Sequence, residues 1–352
     1  MRYFVFADPH WSSYSSIVRS RGESYSTRLE NLIKTINWIE LEAQRQNCDA
    51  VICLGDFFDK SELNSEEITA LQEIKWADMK HYMLVGNHEM GRNDLEISSA
   101  HLFTLIPNVA VIDVPYMYNE QNNTSIMFLP YVLENNRKPL KEYFDVMEQC
   151  ENRIIFSHND IAGIQLGNFV STSGFSIKEI EENCNLFING HLHNGTEIGH
   201  KIINVGNITG QNFSEDAYKY QHKAIILDTD DKSLVEVVNP HAMNFYKVDL
   251  TSLQPTIDDI KIQNSLTELK YPAVATIKIN PDIDFIVKDI LSTCNNIIEC
   301  RLITEGISNN IVTIDTQNIE SSLDHIRKFQ QYVCDNFGTS ELVLNELERV
   351  CK

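Results

Sequence analysis

The sequence predicts an α/β fold in which two mixed β-sheets form a sandwich with flanking helices. Three observations support this prediction. The first half alternates short apolar runs, typical of buried strands, with segments of helical periodicity. From residue 186 onward the apolar runs follow one another without helices, as strands do in hairpins. The 352 residues are 43% hydrophobic and 22% charged, an ordinary globular composition in a chain long enough for two domains.

The elements of the first part follow in order along the chain. A helix is predicted over 28–46, where apolar residues recur at helical spacing and "TRLE" at 27–30 forms a capping box. Further helices are predicted near 65–76, 94–105, 138–149 and 176–183. The strand-like runs are 2–7, 49–54, 80–85, 125–130, 152–157, 186–189, 201–205, 224–228 and 234–239.

A change of organisation is predicted near 250–270, where turn residues and prolines interrupt the pattern. A smaller α/β unit follows, with strands at 273–279, 297–304 and 310–315 and a helix at 284–294. Amphipathic helices are predicted at 319–334 and 340–351. We therefore expect three parts, 1–250, 251–317 and 318–352.

Charge and cysteine usage limit the classes of function. The net charge of −21 argues against tight free-standing binding to nucleic acid, but allows a local basic patch or a basic partner subunit. The eight cysteines are scattered and none form C-x-x-C, so we expect reduced thiols and no zinc–thiolate site. With no apolar stretch near 20 residues and a first strand beginning at residue 2, the expectation is a cytoplasmic protein that does not enter a membrane.

Polar side chains follow five of the predicted strands. Functional groups of α/β proteins collect at the carboxyl ends of strands, so we expect these side chains to meet. Carboxylate, amide and imidazole ligands without thiolate suit Mn, Fe or Zn, and their number suits two ions that clamp a phosphate between them. The residues are Asp8, His10, Asp56, Asp59, Asn87, His88, His158, His191 and His193.

These residues form the blocks D-x-H, G-D-x-x-D, G-N-H-E, H and G-H-x-H in that order, each after an apolar strand. The pattern resembles that of the calcineurin-like metallophosphoesterases. The resemblance implies two divalent ions, preferably Mn²⁺, with Mg²⁺, Fe²⁺ or Zn²⁺ as alternatives. It implies a first ion bound by Asp8, His10, Asp56 and His193, and a second bound by Asp56, Asn87, His158 and His191. It also makes His88 the catalytic histidine and Asp59 a residue that orients a ligand imidazole.

The tract 203–228 and the added C-terminal unit resemble the SbcD-type DNA repair and recombination nucleases, most closely their compact phage form. That resemblance implies a DNA exonuclease or endonuclease that works with an SbcC-type SMC-like ATPase. Residues 251–317 would then form a DNA-capping domain, and 318–352 would dock on the ATPase. It further implies a homodimer formed through helices 65–76 and 94–105, with Leu71, Ile74, Leu102 and Phe103 as apolar candidates.

Two other functions are alternatives to the nuclease. One is a metallophosphatase or phosphodiesterase acting on a small molecule or phosphoprotein. Phosphoprotein phosphatases carry an arginine after the last acid of G-D-x-x-D, whereas Lys60 follows Asp59 here, which favours the nuclease. The other is a structural subunit with a decayed site, which is disfavoured because every ligand is present. The loop 11–25, with Arg19 and Arg21 among aromatic residues, is equally compatible with DNA contact and with a solvated loop.

Overall fold

The structure is a computed structural model that describes residues 1–13, 23–120, 122–144, 151–166, 169–306 and 311–315. It divides into two compact units, Met1–Phe245 and a second that begins at Tyr246. The predicted division of the later chain into 251–317 and 318–352 stays a prediction, because residues 316–352 lie outside the described part. The loop positions Arg19 and Arg21 also lie outside it.

The first unit contains eighteen described strands and four described α-helices. The strands are β1 Arg2–Phe6, β2 Ala50–Cys53, β3 Lys80–Leu84, β4 Met90–Gly91, β5 Asp94–Ser98, β6 Val109–Ile112, β7 Tyr116–Asn119, β8 Thr124–Leu129, β9 Asn152–Ser157, β10 Ile161–Ala162, β11 Gln165–Leu166, β12 Phe169–Val170, β13 Phe175–Ser176, β14 Leu186–Asn189, β15 Thr196–Ile198, β16 Ile202–Asn204, β17 Lys223–Asp228 and β18 Leu234–Val238. The helices are α1 Thr27–Arg45, α2 Ser65–Ala70, α3 Leu140–Phe144 and α4 Ile177–Asn183.

Two six-stranded mixed sheets organise this unit. The first has the order β18-β17-β1-β2-β3-β6, with β1, β2, β3 and β6 parallel and β17 antiparallel to β1. The second has the order β15-β16-β14-β9-β8-β7, with parallel pairs from β16 to β8 and antiparallel edges. The predicted α/β class with mixed sheets and flanking helices is confirmed.

The core lies in three layers because residues of each strand alternate between two faces. Tyr3 and Val5 of β1 pack between the sheets with Phe128 and Phe156 of the second sheet. Phe4 and Phe6 point the other way and pack against apolar residues of α1. The outer face of the second sheet packs against α3 and α4, through residues such as Leu140 and Ile180. The central strands of both sheets are therefore buried on two faces.

The predicted helix over 94–105 is wrong. Residues 90–98 form a hairpin of β4 and β5, and only Ser99–Leu105 is helical, as a 3₁₀ helix. Arg92 and Asn93 both have φ of 57°, so they form a two-residue turn with left-handed backbone, the type that matches the twist of paired strands. The predicted helix 65–76 ends at Ala70 and continues as a 3₁₀ turn over Leu71–Glu73.

The second unit has a four-stranded sheet of order β19-β20-β21-β22, in which β20 and β21 are parallel and β22 is antiparallel to β21. Its elements are β19 Asn244–Asp249, α5 Asp259–Thr267, β20 Ala273–Ile279, α6 Asp284–Thr293, β21 Ile297–Thr304 and β22 Ile311–Asp315. The helices predicted at 319–334 and 340–351 lie outside the described residues. Among the helices that the structure describes, none has the length and apolar character to cross a bilayer.

Candidate metal centre

The five polar motifs meet at one edge of the sandwich because each follows the carboxyl end of a parallel strand. Asp8 and His10 follow β1, Asp56 follows β2, and Asn87 and His88 follow β3. His158 follows β9, and His191 and His193 follow β14. Backbone hydrogen bonds tie the first two loops together, from Asp8 N to Gly55 O (3.3 Å) and from His10 N to Asp56 O (3.1 Å).

Four of the predicted ligand residues have left-handed backbone. The φ angles are 52° at Asp8, 48° at His10, 47° at Asp56 and 71° at His191. Asp and His adopt this region more often than most residues, but each still costs about 1 kcal/mol or more. The sharp turns allow the loops to aim several side chains at one point.

The side chains form three overlapping groups, in each of which the possible ligand atoms all lie within 4.8 Å of one another. One joins His10 and Asp56 to His88. The other two contain only predicted ligands, with Asp8, His10 and His193 in one and Asp56, His158 and His191 in the other. Asp56 connects them, with Oδ2 at 3.1 Å from His158 Nε2 and 3.9 Å from His10 Nε2. Asn87 Oδ1 lies 3.2 Å from His158 Nε2, so all seven predicted ligands are brought together.

Two of the histidines fit metal ligation because the protein bonds one ring nitrogen of each and leaves the other facing the cluster. His10 Nδ1 bonds Asp59 Oδ1 at 3.0 Å, and its buried Nε2 has no hydrogen-bond partner within the described chain. His158 Nδ1 bonds the carbonyl oxygen of Leu54 at 2.9 Å, which directs Nε2 toward Asp56. Ligand imidazoles in proteins are held in this way by a carboxylate or carbonyl on the far nitrogen. These residues can therefore hold two divalent ions.

Burial and crowding perturb the ionisation of the same groups. Burial, and then the nearby Asp56 carboxylate, raise the pKa of Asp8 well above its usual range. Burial opposes ionisation of Asp56 as well, but His158 and His10 outweigh it and hold the pKa of Asp56 low. Burial lowers the pKa of His193 to about 3, so this imidazole is neutral at pH 7 and can donate a lone pair. The buried carboxylates and the neutral His193 favour a cation in the space between them.

His88 is the exposed member of the cluster, with 43% of its side chain accessible. Its backbone N–H donates to Asp56 Oδ1 at 2.9 Å, and its ring lies 4.6 Å from that of His10. Its Nδ1 lies 3.2 Å from the carbonyl oxygen of Asp59, which leaves Nε2 for an incoming molecule. Asp59 thus contacts both histidines, His10 through its side chain and His88 through its backbone.

Glu89 is a buried residue of the site to which the sequence motifs gave no role. Its two carboxylate oxygens accept the backbone N–H groups of Phe58 and Gly86, both at 2.9 Å. It therefore joins the loop of Asp56 to the loop of Asn87. Burial, and then Asp56, raise its pKa to about 8.

The loop of Asp8 and His10 is supported by residues that the motif search did not find. Gln211 Nε2 donates to the carbonyl oxygen of Asp8 (2.7 Å), and the buried Arg28 guanidinium donates to the carbonyls of Pro9 (2.8 Å) and Gly210 (2.7 Å). These contacts go to main-chain atoms, so they leave no spacing pattern in the sequence. They give the tract 203–228 a structural connection to the centre.

Asp160 is a further residue that the motif search missed. Its Oδ1 lies 3.0 Å from His191 Nε2, and this hydrogen bond holds the pKa of Asp160 below its usual value. The available signal was its position two residues after His158, which is the same spacing as in the D-x-H and H-x-H pairs.

Comparison with known proteins identifies one matching family. The calcineurin-like phosphoesterase family matches residues 1–202, while no curated protein matches the chain. Similar solved structures include a Thermus thermophilus protein (11% identity, 67% of this chain and 98% of that chain, TM-score 0.40). Others are a dimetal phosphatase from Danio rerio (13%, 68% and 99%, TM-score 0.39) and a metallophosphoesterase from Sphaerobacter thermophilus (12%, 68% and 88%, TM-score 0.28).

The family match covers more than half of the chain and contains all five motifs. The chain therefore belongs to the calcineurin-like phosphoesterase family and is a metal-dependent hydrolase of phosphoesters.

Proposed function

We propose that this phosphoesterase is a two-metal DNA nuclease, an exonuclease or endonuclease that acts in DNA end processing, recombination and repair with an SbcC-type SMC-like ATPase. The observation that carries the proposal is the convergence of seven ligand side chains beside the exposed His88, in a chain that continues into a second compact unit from Tyr246. Phosphoester hydrolysis itself requires only the phosphoesterase domain. A polymer substrate such as DNA is long enough to contact the second unit as well.

We assign one ion, preferably Mn²⁺, to Asp8, His10, Asp56 and His193, and the other to Asp56, Asn87, His158 and His191. Bound ions of this kind polarise the phosphate and activate water. The protein's own part would be to set the positions of both ions through Asp56, beside the buried His10 and His158.

His88 is the residue we propose for proton transfer. It is exposed, lies beside Asp56 and His10, and has Nδ1 held by the backbone of Asp59. Its remaining nitrogen can hydrogen-bond a phosphate oxygen or protonate the leaving 3′ or 5′ oxygen of the broken strand. General acid catalysis of this kind contributes about 10²–10⁴-fold to rate.

Lys60 supports a nuclease over a phosphoprotein phosphatase. Its Nζ lies 3.2 Å from Oε1 of the buried Glu67, and the same oxygen accepts the backbone N–H of Ser13. The cation at the position where phosphoprotein phosphatases carry an arginine is thus engaged in an ion pair with a structural carboxylate. Lys60 is therefore a poor candidate for binding a terminal phosphate group.

The decisive experiment tests two substrates side by side with Mn²⁺. One is a linear DNA duplex, which is a phosphodiester, and the other is p-nitrophenyl phosphate. We expect cleavage of the duplex and its loss in His88→Ala. A matched control is His101→Ala, whose ring bonds Asp113 at 3.0 Å and takes no part in the ligand groups. Turnover of p-nitrophenyl phosphate without any cleavage of DNA would instead identify a metallophosphatase.

We also propose a homodimer. Of the four apolar candidates, Ile74 and Phe103 are 6% and 1% exposed and serve the core, so they are unsuitable for an interface. Leu102, which is 37% exposed on the 3₁₀ helix, stays a candidate, and Leu105, which is 82% exposed on the same helix, is added. Sedimentation at micromolar concentration should give a dimer that Leu105→Glu converts to a monomer. We place this assembly in the cytoplasm, that of the host if a phage encodes it.

A further inference from the structure

His191 is held through a different ring nitrogen from His10 and His158. His10 and His158 have Nδ1 bonded to the protein and present Nε2. His191 is the reverse, because its Nε2 lies 3.0 Å from Asp160 Oδ1. A carboxylate accepts hydrogen bonds, so the contact favours the tautomer of His191 with the proton on Nε2 and the lone pair on Nδ1. His191 is therefore set to bind an ion through Nδ1.

The position of Asp160 suits a residue that holds the His191 ring rather than one that binds an ion itself. Within the described residues it belongs to none of the three groups whose ligand atoms lie together. Its side chain is 31% exposed, so it does not fill the core. Its fold contact is made by the backbone, whose carbonyl oxygen accepts the N–H of Phe175 at 3.1 Å. A side-chain substitution leaves that backbone bond in place.

We propose that Asp160 is a positioning residue for the second ion: it fixes His191 as the Nε2–H tautomer, so that Nδ1 binds the ion next to Asp56 and His158. The inference rests on the two-metal centre proposed above. Its counterpart at the first ion is Asp59, which holds His10 from the other nitrogen. Each ion thus has its own supporting carboxylate, and the affinities for the two ions should respond to different substitutions.

The test uses the full-length protein and measures metal affinity rather than activity. Mn²⁺ titration by calorimetry gives two dissociation constants, and electron paramagnetic resonance reports whether the two ions are paired. Removing such supporting groups weakens metal binding about 10–100-fold. We expect Asp160→Ala to weaken the second ion by that factor and spare the first. The matched variant Asp59→Ala should do the reverse.

A second readout tests the tautomer directly. In the metal-free protein with ¹⁵N-labelled histidine, His191 should give the signals of an Nε2–H tautomer, and Asp160→Ala should shift them toward a mixture. Asp160→Asn keeps an acceptor oxygen, so it should retain the tautomer with a smaller loss of affinity. Should Asp160→Ala fail to fold, the wild-type spectrum and Asp160→Asn still decide the question.

Two results would overturn the inference. One is unchanged affinity for both ions in Asp160→Ala, and the other is an Nδ1–H tautomer of His191 in the wild type. Failure of the nuclease proposal is distinguishable, because a protein that binds two ions as described but leaves DNA intact refutes the substrate and not the role of Asp160.

Discussion

At the scale of single residues, Asp56 is the carboxylate that connects the two groups of predicted ligands. One carboxylate oxygen faces His158 and His10, and the other accepts the backbone N–H of His88. A bridging carboxylate belongs to both ions, whereas His10 belongs to one ion only in the proposed assignment.

We predict that Asp56→Ala loses both ions, while His10→Ala mainly weakens the first. The reason is that removal of a shared ligand deprives both positions of charge, and removal of His10 takes one neutral donor from one position. Equilibrium dialysis with metal analysis provides the stoichiometry. Two ions retained by Asp56→Ala would contradict the bridging assignment.

His88→Ala should bind both ions normally and lose about 10²–10⁴-fold in phosphodiester cleavage. The ring is exposed and its removal leaves no cavity in the core, so the melting temperature should change little. Single-turnover cleavage of a duplex end measures the effect. An unchanged rate constant refutes proton transfer by this residue.

The sequence predicted which side chains meet at the centre because these side chains follow apolar strands at short fixed spacings. Glu89, Gln211 and Arg28 could not be found this way. They act on backbone N–H and carbonyl groups of other loops, and such contacts depend on how the loops fold back on one another. The tautomer of His191 likewise depends on a side chain 31 residues away in sequence.

At the scale of elements, the strands were predicted more accurately than the region between β3 and β6. Runs such as 152–157 and 186–189 coincide with β9 and β14, since an apolar run buried on both faces has few alternatives. The hairpin β4–β5 was missed because its turn uses Arg92 and Asn93 in left-handed conformation, and arginine is not a usual turn residue there.

The tract after β16 contains a buried carboxyl group that should make stability depend on pH. Burial raises the pKa of Glu215 to about 7, although Asn207 and the backbone of Gln211 donate to it. The folded state keeps this proton while the unfolded state loses it. The contribution of Glu215 to the free energy of unfolding is therefore fully present below about pH 4.5. As the pH rises to about 7, this contribution falls by about 3 kcal/mol.

Glu215→Gln should abolish that contribution, so the difference in unfolding free energy between wild type and variant should change across this pH range. The comparison is needed because His222, with a pKa lowered to about 4 by burial, makes stability rise between about pH 4 and 6.5. Urea unfolding of the metal-free protein at about pH 4.5, 6 and 7.5 gives the profile. A difference independent of pH would show that Glu215 ionises normally.

At the scale of the whole molecule, a net charge of −21 repels DNA at long range. Affinity that falls with salt requires cations on phosphates, so a local patch or a partner must supply them. The predicted amphipathic segment 318–352 is the proposed site of attachment to the ATPase, and the proposed metal ligands all lie within the first unit.

Removal of 318–352 should therefore leave a folded protein that binds two ions and no longer co-purifies with its SMC-like ATPase or gains activity from it. Circular dichroism and metal analysis serve as controls for the truncated chain. If the shortened protein precipitates or loses its ions, the segment belongs to the core. If it still binds the ATPase, the attachment lies elsewhere.

The left-handed backbone at Asp8, His10, Asp56 and His191 has a consequence for evolution in the laboratory. Glycine adopts such φ angles freely, so each of these positions would gain backbone stability from glycine while losing a proposed ligand. A library selected only for heat resistance without metal would accumulate glycine at the very positions that make the protein an enzyme. Selection in the presence of divalent ions should retain aspartate and histidine there, and the contrast between the two libraries would map the centre without any assay of turnover.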